Sequence, residues 1–329
     1  MIRALALRFA VVAPLGLGAC DVSSTVGYNE GALPLGPGGS CAPDASLRAC
    51  STGNCVVTEV SAAEPGVETL AVDSESIFFL SGASVLATRP IAGGPLVELT
   101  AELDQLQQLT IDADHVYWTE FDGRVRSLPK AGGAITEVTS VFGHPSSIAA
   151  DAEHVYLVLP ESGEVAMAPK PSGAATRLGG QNVPFAIAVD AEHVYWINQG
   201  TAGASDGELV RAPRGDLTGA EVIVSGLDAP VALALTSDAV VWATFDTIFT
   251  APKAGGSPAT IAGGFGEAKA IAAFDGTAYL AGAGGLTRTG MADGSTLLLE
   301  ARALTSVALG CDGVFATGWY EPFLLRYGR

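Results

Sequence analysis

One ten-residue phrase, Ile187-Ala188-Val189-Asp190-Ala191-Glu192-His193-Val194-Tyr195-Trp196, constrains this chain most, because versions of it return from Leu70 to the C-terminus. Each copy reads as a strand, a tight turn and a second strand. Copies with the same signature carry Asp112, His115, Val116 and Asp151, His154, Val155, and weaker ones begin at Leu70, Leu233, Ile271 and Val307. Aligning the residue after the histidine position gives Ile77, Val116, Val155, Val194, Val240, Ala278 and Val314, at intervals of 39, 39, 39, 46, 38 and 36. The next two columns are mostly aromatic or aliphatic: Phe78, Tyr117, Tyr156, Tyr195, Val241, Tyr279, Phe315, then Phe79, Trp118, Leu157, Trp196, Trp242, Leu280, Ala316. Consecutive large apolar residues predict a strand buried on both faces.

Each unit divides into four short strands. In the third they are Ser147 to Ala150, His154 to Leu159, Glu164 to Ala168 and Ala175 to Leu178. Aspartate after the first strand suits an Asx turn. The third-to-fourth connection repeats Pro-Lys-Ala-Gly-Gly at Pro129 to Gly133 and Pro252 to Gly256, where proline ends a strand and glycine supplies positive φ. Four-stranded units of about 40 residues predict a β-propeller. The last unit stops one strand short after Phe323 to Tyr327. The missing strand is at the other end, where Val56-Val57-Thr58-Glu59-Val60-Ser61 matches Ala134-Ile135-Thr136-Glu137-Val138-Thr139 in register and residue type. The expected fold is therefore all-β: a seven-bladed propeller over residues 55–329, its last blade closed by an N-terminal strand that covers an otherwise open edge.

The fullest copy, His115-Val116-Tyr117-Trp118-Thr119-Glu120, resembles the YWTD-type repeats of LDL-receptor-like propellers and related repeats of secreted bacterial lipoproteins. The resemblance covers roughly Cys55 to Arg329 and implies the fold. YWTD propellers commonly have six blades and end the motif in Asp. Here there are seven units, with Glu120 or Asn198 at that place, so no binding residue is carried over.

Residues 1–19 carry Arg3, Arg8 and an apolar run from Phe9 to Leu17, as a secretory signal does. Leu17-Gly18-Ala19-Cys20 resembles the lipobox of bacterial lipoproteins, which implies lipidation at Cys20; the alternative is an ordinary signal peptide cleaved nearby. Residues 20–40 read as a flexible tether with a reach on the order of 25 Å, and 41–54 as a cysteine-bearing leader. With Cys20 set aside, Cys41, Cys50, Cys55 and Cys311 are even in number, which in an exported protein implies disulfides of open connectivity. The chain is expected in the bacterial cell envelope, held to the membrane only through the anchor. Its formal charge of −18 argues against nucleic acid as a partner.

No Gly-x-Ser-x-Gly, His-Glu-x-x-His, P-loop or EF-hand pattern occurs. His115, His154 and His193 sit at equivalent places in successive units, and the ring holds such residues apart, so no shared metal is expected. Asp73, Asp112, Asp151 and Asp190 give way to Thr236, Phe274 and Gly310 in the later units, which suits turn closure better than a carboxylate ring. Function is expected where the copies diverge. The fourth unit inserts about six residues around Gln199 to Asp206, and the seventh carries Trp319 and Tyr320 at the same connection. These loops share one end of the ring with Phe142, His144, Asn182, Phe185, Asp228 and Phe265. The expected function is that of a monomeric binding scaffold for a protein or small ligand, without a cofactor. The alternative is a propeller enzyme, a lyase or lactone hydrolase, with its site at the channel mouth.

Overall fold

The structure, a computed structural model, describes residues 25–26, 56–61, 67–81, 84–101, 103, 106–274, 276–310, 313–318 and 324–328. Residues 1–24, Cys20 among them, lie outside this set, as do Cys41, Cys50, Cys55, Cys311, Trp319 and Tyr320. The expected anchor, disulfides and seventh-unit loop fall there too.

Seven four-stranded antiparallel blades form a ring. A short further strand, β1 (Thr25–Val26), precedes them in the chain. The first blade comprises β3 (Val67–Val72), β4 (Ser76–Ser81), β5 (Val85–Pro90) and β6 (Val97–Thr100), and the second β7 (Leu106–Ile111), β8 (His115–Glu120), β9 (Arg124–Pro129) and β10 (Thr136–Ser140). The third has β11 (Ser147–Ala150), β12 (His154–Leu159), β13 (Glu164–Pro169) and β14 (Thr176–Leu178), and the fourth β15 (Pro184–Val189), β16 (His193–Asn198), β17 (Gly207–Pro213) and β18 (Glu221–Leu227). The fifth has β19 (Ala232–Leu235), β20 (Ala239–Ala243), β21 (Thr247–Pro252) and β22 (Ala259–Gly263), and the sixth β23 (Ala268–Phe274), β24 (Thr277–Gly282), β25 (Gly285–Gly290) and β26 (Thr296–Glu300). The seventh joins β27 (Ser306–Gly310), β28 (Gly313–Thr317) and β29 (Leu324–Gly328) to β2 (Val56–Ser61) from the N-terminal side.

The closing strand takes the register expected of it. Thr58 stands opposite Arg326 and Ser61 opposite Leu324, just as Thr136 stands opposite Ser127 and Thr139 opposite Val125 in the second blade. Both pairs even shift register at the same step, Glu59 to Ser61 and Glu137 to Thr139. Inside the ring, β1 adds a parallel fifth strand to the third blade, with Thr25 opposite Ser147 and Val26 opposite Ile148.

The two large-residue columns are explained by packing. Seven apolar clusters lie one at each blade junction. The column of Trp118, Leu157, Trp196, Trp242 and Leu280 faces the preceding blade, and the column of Tyr117, Tyr156, Tyr195, Val241 and Tyr279 faces the following one. Successive strand side chains point to opposite faces, so one Tyr-Trp pair joins a blade to both neighbours. Consequently β11, β15, β19 and β27 are buried throughout, whereas the outermost strands β6, β14 and β26 are largely exposed.

The repeated aspartates do more than close turns. Oδ1 of Asp112 accepts the backbone N–H groups of Asp114 and His115 at 2.9 and 2.7 Å, and Asp73, Asp151 and Asp190 do the same in their units. Oδ2 then receives a cation from the next blade: Lys130 for Asp73 at 2.8 Å, Lys170 for Asp112 at 2.5 Å, Arg214 for Asp151 at 3.5 Å and Lys253 for Asp190 at 2.9 Å. The Tyr117 and Tyr156 hydroxyls donate to the same oxygen of Asp112 and Asp151 at 2.7 and 2.8 Å. Four consecutive junctions are thus clasped by a carboxylate and a cation. At two of the junctions where aspartate is lost, the cation is lost with it. Thr236 of the fifth blade faces the register position of Met291, which packs against the apolar cluster there, and Gly310 faces that of Ile91, buried with Ala308 and Phe315.

Candidate functional site

Antiparallel alternation puts the loops into β3, β7, β11 and their equivalents at one end of the ring, together with the loops between second and third strands. The clasps occupy the other end. The loop-bearing end carries conspicuous exposed aromatics: Phe142 at 86% exposure, Phe245 at 63% and Phe121 at 47%. An isolated exposed apolar residue needs no explanation, but several on one face mark an interaction surface.

A cavity of about 290 Å³ opens at this end where the second, third and fourth blades meet. It is lined, among the described residues, by Gln107, Phe121, His144, Pro145, Ser146, Pro160, Glu161, Val183, Phe185 and Gln199. That volume is at the small end of the range for ligand pockets, and the mainly apolar wall with a few converging polar groups is typical of them.

Local sequence positions each wall. Phe121 tops the β8–β9 hairpin, where Gly123 adopts φ +85° and a Cβ would meet the Val141 carbonyl oxygen at 2.0 Å, so glycine is required for that loop to lie against its neighbour. His144 follows Phe142-Gly143 on the connection into β11. Its ring stacks on Phe121 with centroids 3.9 Å apart, and its Nδ1 lies 3.0 Å from Oε1 of Glu161 on the β12–β13 hairpin. Three loops from two blades therefore hold one imidazole. Ser146 fixes the floor, its hydroxyl donating to the Phe185 carbonyl at 2.9 Å.

Val183 forms part of the far wall with φ +57°. A β-branched residue in the left-handed region is strained, and such strain concentrates at functional sites. It is held there by backbone hydrogen bonds, Gln199 N–H donating to the Val183 carbonyl at 2.8 Å and Gly200 N–H to that of Asn182 at 3.0 Å.

Of the loop residues singled out in the sequence, His144 and Phe185 meet in this cavity and Phe142 stands exposed beside them. Asn182 and Asp206 have their polar groups engaged in bracing the fourth-blade insertion. Asp206 accepts from Thr201 N–H at 2.6 Å, from the Thr201 hydroxyl at 2.9 Å and from Asn182 Nδ2 at 3.1 Å, which holds its carboxyl below the ordinary value. Asp228 is exposed on the next connection around the ring, and Phe265 packs into the junction of blades five and six. Gln199 begins the fourth-unit insertion singled out in the sequence, whereas Glu161, Phe121 and Gln107 were not marked by it. Glu161 and Phe121 lie on hairpins and Gln107 on the inner strand β7, brought together by ring closure, although the Phe121 column could have been found as an aromatic where most units place a small or polar residue.

A larger hollow, of about 600 Å³, lies at the clasped end around Asp190, His193, Tyr195, Arg211, Asp238 and Lys253. Its two basic side chains already have acidic partners: Lys253 pairs with Asp190 at 2.9 Å and Arg211 with Glu221. Burial and the charge of Asp190 push the Tyr195 phenol well above its usual range, so it is a hydrogen-bond donor there, not a base. The 290 Å³ cavity, built where the units diverge, is the better site. The repeated histidines are engaged in the ring: His115, His154 and His193 each lean on the tyrosine two residues on, with centroids 6.0 to 6.1 Å apart. Among the described residues no three His, Cys, Asp or Glu side chains converge to hold a metal.

Comparison with known proteins adds the architecture. No family model matches the chain, and no curated protein does. Among solved structures it is similar to the crystal structure of the computationally designed Ika8 protein, a propeller, with a TM-score of 0.61 and 18% identity over 78% of this chain and 82% of that one. The likeness is one of fold. A designed neighbour identifies no natural ligand, so function has to be argued from the cavity.

Proposed function

We propose that this protein is a binding scaffold of the cell envelope whose propeller presents a small-ligand site at its loop-bearing end. The observation that carries the reading is the cavity itself, built where the repeats diverge, walled by Phe121 and Phe185, shaped by the strained Val183 and furnished with the His144–Glu161 pair. A propeller supports binding in general because its rigid ring carries loops that can vary without cost to the fold.

The small neutral aromatic 2-phenylethanol is expected to bind saturably, one molecule per chain, and Phe185→Ala is expected to weaken it several-fold by removing part of one wall. Titration calorimetry checks both. Non-saturable uptake, or equal binding by the variant, would remove the site.

The envelope location rests on the signal-like residues 1–19 and the lipobox-like Leu17-Gly18-Ala19-Cys20. We further propose that the repeats are related to the YWTD-like group, a reading supported by the phrase His115 to Glu120. Mass spectrometry of the mature protein is expected to find a diacylated Cys20 at the N-terminus; an unmodified terminus elsewhere would refute the anchor.

A further inference from the structure

We infer that the cavity selects an organic cation, an ammonium group carried on a compact apolar or aromatic body. The inference rests on the cavity being the binding site, and adds the chemical class of its ligand. With histidine counted as neutral, Glu161 is the one formal charge among the described lining residues, and none of them is Lys or Arg. Glu161, which lines the cavity, meets His144 through Oε1, and its side chain is 65% exposed, so the carboxylate keeps capacity to accept from a second donor.

The walls suit the rest of such a molecule. Phe121, Phe185, Val183 and Pro145 present apolar surface within the same cavity, and the face of an aromatic ring attracts a cation electrostatically. The long-range field acts in the same direction. At −18 the chain draws cations to its surface and repels anions, which would also meet Glu161 without a compensating base. A carboxylate ligand of the same shape would leave two negative groups together. A neutral one would leave that remaining capacity to water.

Three probes of nearly one size and shape separate these cases on the full chain: 2-phenylethylammonium, 2-phenylethanol and 3-phenylpropanoate, titrated calorimetrically at pH 7. The ammonium is expected to bind about ten-fold more tightly than the alcohol, the sum of a partly exposed ion pair and a ring contact. The carboxylate is expected to bind more weakly than either. In E161Q the ammonium's advantage over the alcohol should disappear, while an unchanged circular dichroism spectrum and unfolding midpoint show the variant to be folded. An ammonium no tighter than the alcohol, or an advantage that survives E161Q, overturns the cation assignment while leaving the cavity as a site for neutral molecules. Binding of none of the three overturns both.

Discussion

Trp196→Ala is expected to destabilise the protein by about 3 to 5 kcal/mol, read as a fall in the denaturant midpoint with an unchanged slope. The side chain is fully buried in the junction of blades three and four, among Tyr156, Val189, Val194, Val210 and Leu217. Its removal leaves a cavity that two rigid sheets cannot close by local collapse, and that geometry places the cost at the upper end of the range for large-to-small changes. The indole has a polar end as well, Nε1–H donating to Gln181 Oε1 at 2.9 Å. Gln181 also accepts from Asn198 Nδ2 at 3.2 Å, so the loop entering β15 hangs on this pair. Trp196→Phe, which keeps most of the packing and loses the hydrogen bond, is therefore expected to cost only about 1 to 2 kcal/mol. Equal losses from the two variants would contradict the packing account.

The second large effect concerns the clasps. Asp112→Thr leaves Lys170, whose side chain is 7% exposed, facing only the Tyr117 ring at 4.5 Å and a hydroxyl that has lost its acceptor. Stranding a nearly buried cation is expected to cost about 2 to 4 kcal/mol at pH 7. The chain contains its own remedy: the fifth and sixth blades meet with Thr236 and Met291 at these two positions. Asp112→Thr combined with Lys170→Met should recover most of the loss, giving a large favourable coupling in a double-mutant cycle.

The pH dependence of this clasp has a definite sign. Burial alone would raise the Asp112 carboxyl, but hydrogen bonds from Lys170 and Tyr117, the Lys170 charge and the His115 N–H outweigh it and hold the group below its ordinary value of 3.8. Asp190 is lowered in the same way, with burial opposed by the His193 and Glu192 N–H groups and by Lys253. A depressed carboxylate contributes stability that is complete above the unfolded-state value and is lost as pH falls through the folded one. The gap between wild type and Asp112→Thr is therefore expected to be full at pH 7 and to shrink below about pH 4. A gap that widens in acid would assign the clasp the wrong sign.

Most of the architecture was legible because repetition supplies its own alignment. Strands such as Ser147–Ala150 and His154–Leu159 fall where the columns place them, and the match of Val56–Ser61 to Ala134–Thr139 located the closing strand through residue type alone. The interblade clasps were equally periodic but stayed hidden, since their partners sit 57 residues apart for Lys130 and Asp73 and 58 for Lys170 and Asp112. The signal lay in joint loss: Thr236 with Met291, and Gly310 with Ile91. The aspartates were read as turn closers, which is correct for Oδ1 and leaves out Oδ2.

The site was legible only in part, for a different reason. His144 and Phe185 stood out as breaks in the pattern, whereas Glu161 looks like an ordinary polar residue in a hairpin. It belongs to the site because ring geometry carries that hairpin beside the loop holding His144, 17 residues earlier in the chain. Asn182 and Asp206 broke the pattern too, and their bonds go to holding the insertion in place. Irregularity in a repeat therefore marks where to look, and the hydrogen bonds decide which irregular residues face a ligand.

The repeated histidines lie in the ring, each against the tyrosine two residues on, and the unrepeated one lines the 290 Å³ cavity. The chain has four histidines, and the imidazole signals of all four can be followed by nuclear magnetic resonance during one titration with 2-phenylethanol. The His144 ring is expected to shift in proportion to occupancy while those of His115, His154 and His193 stay in place; shifts of the three repeated rings with His144 unmoved would contradict the account.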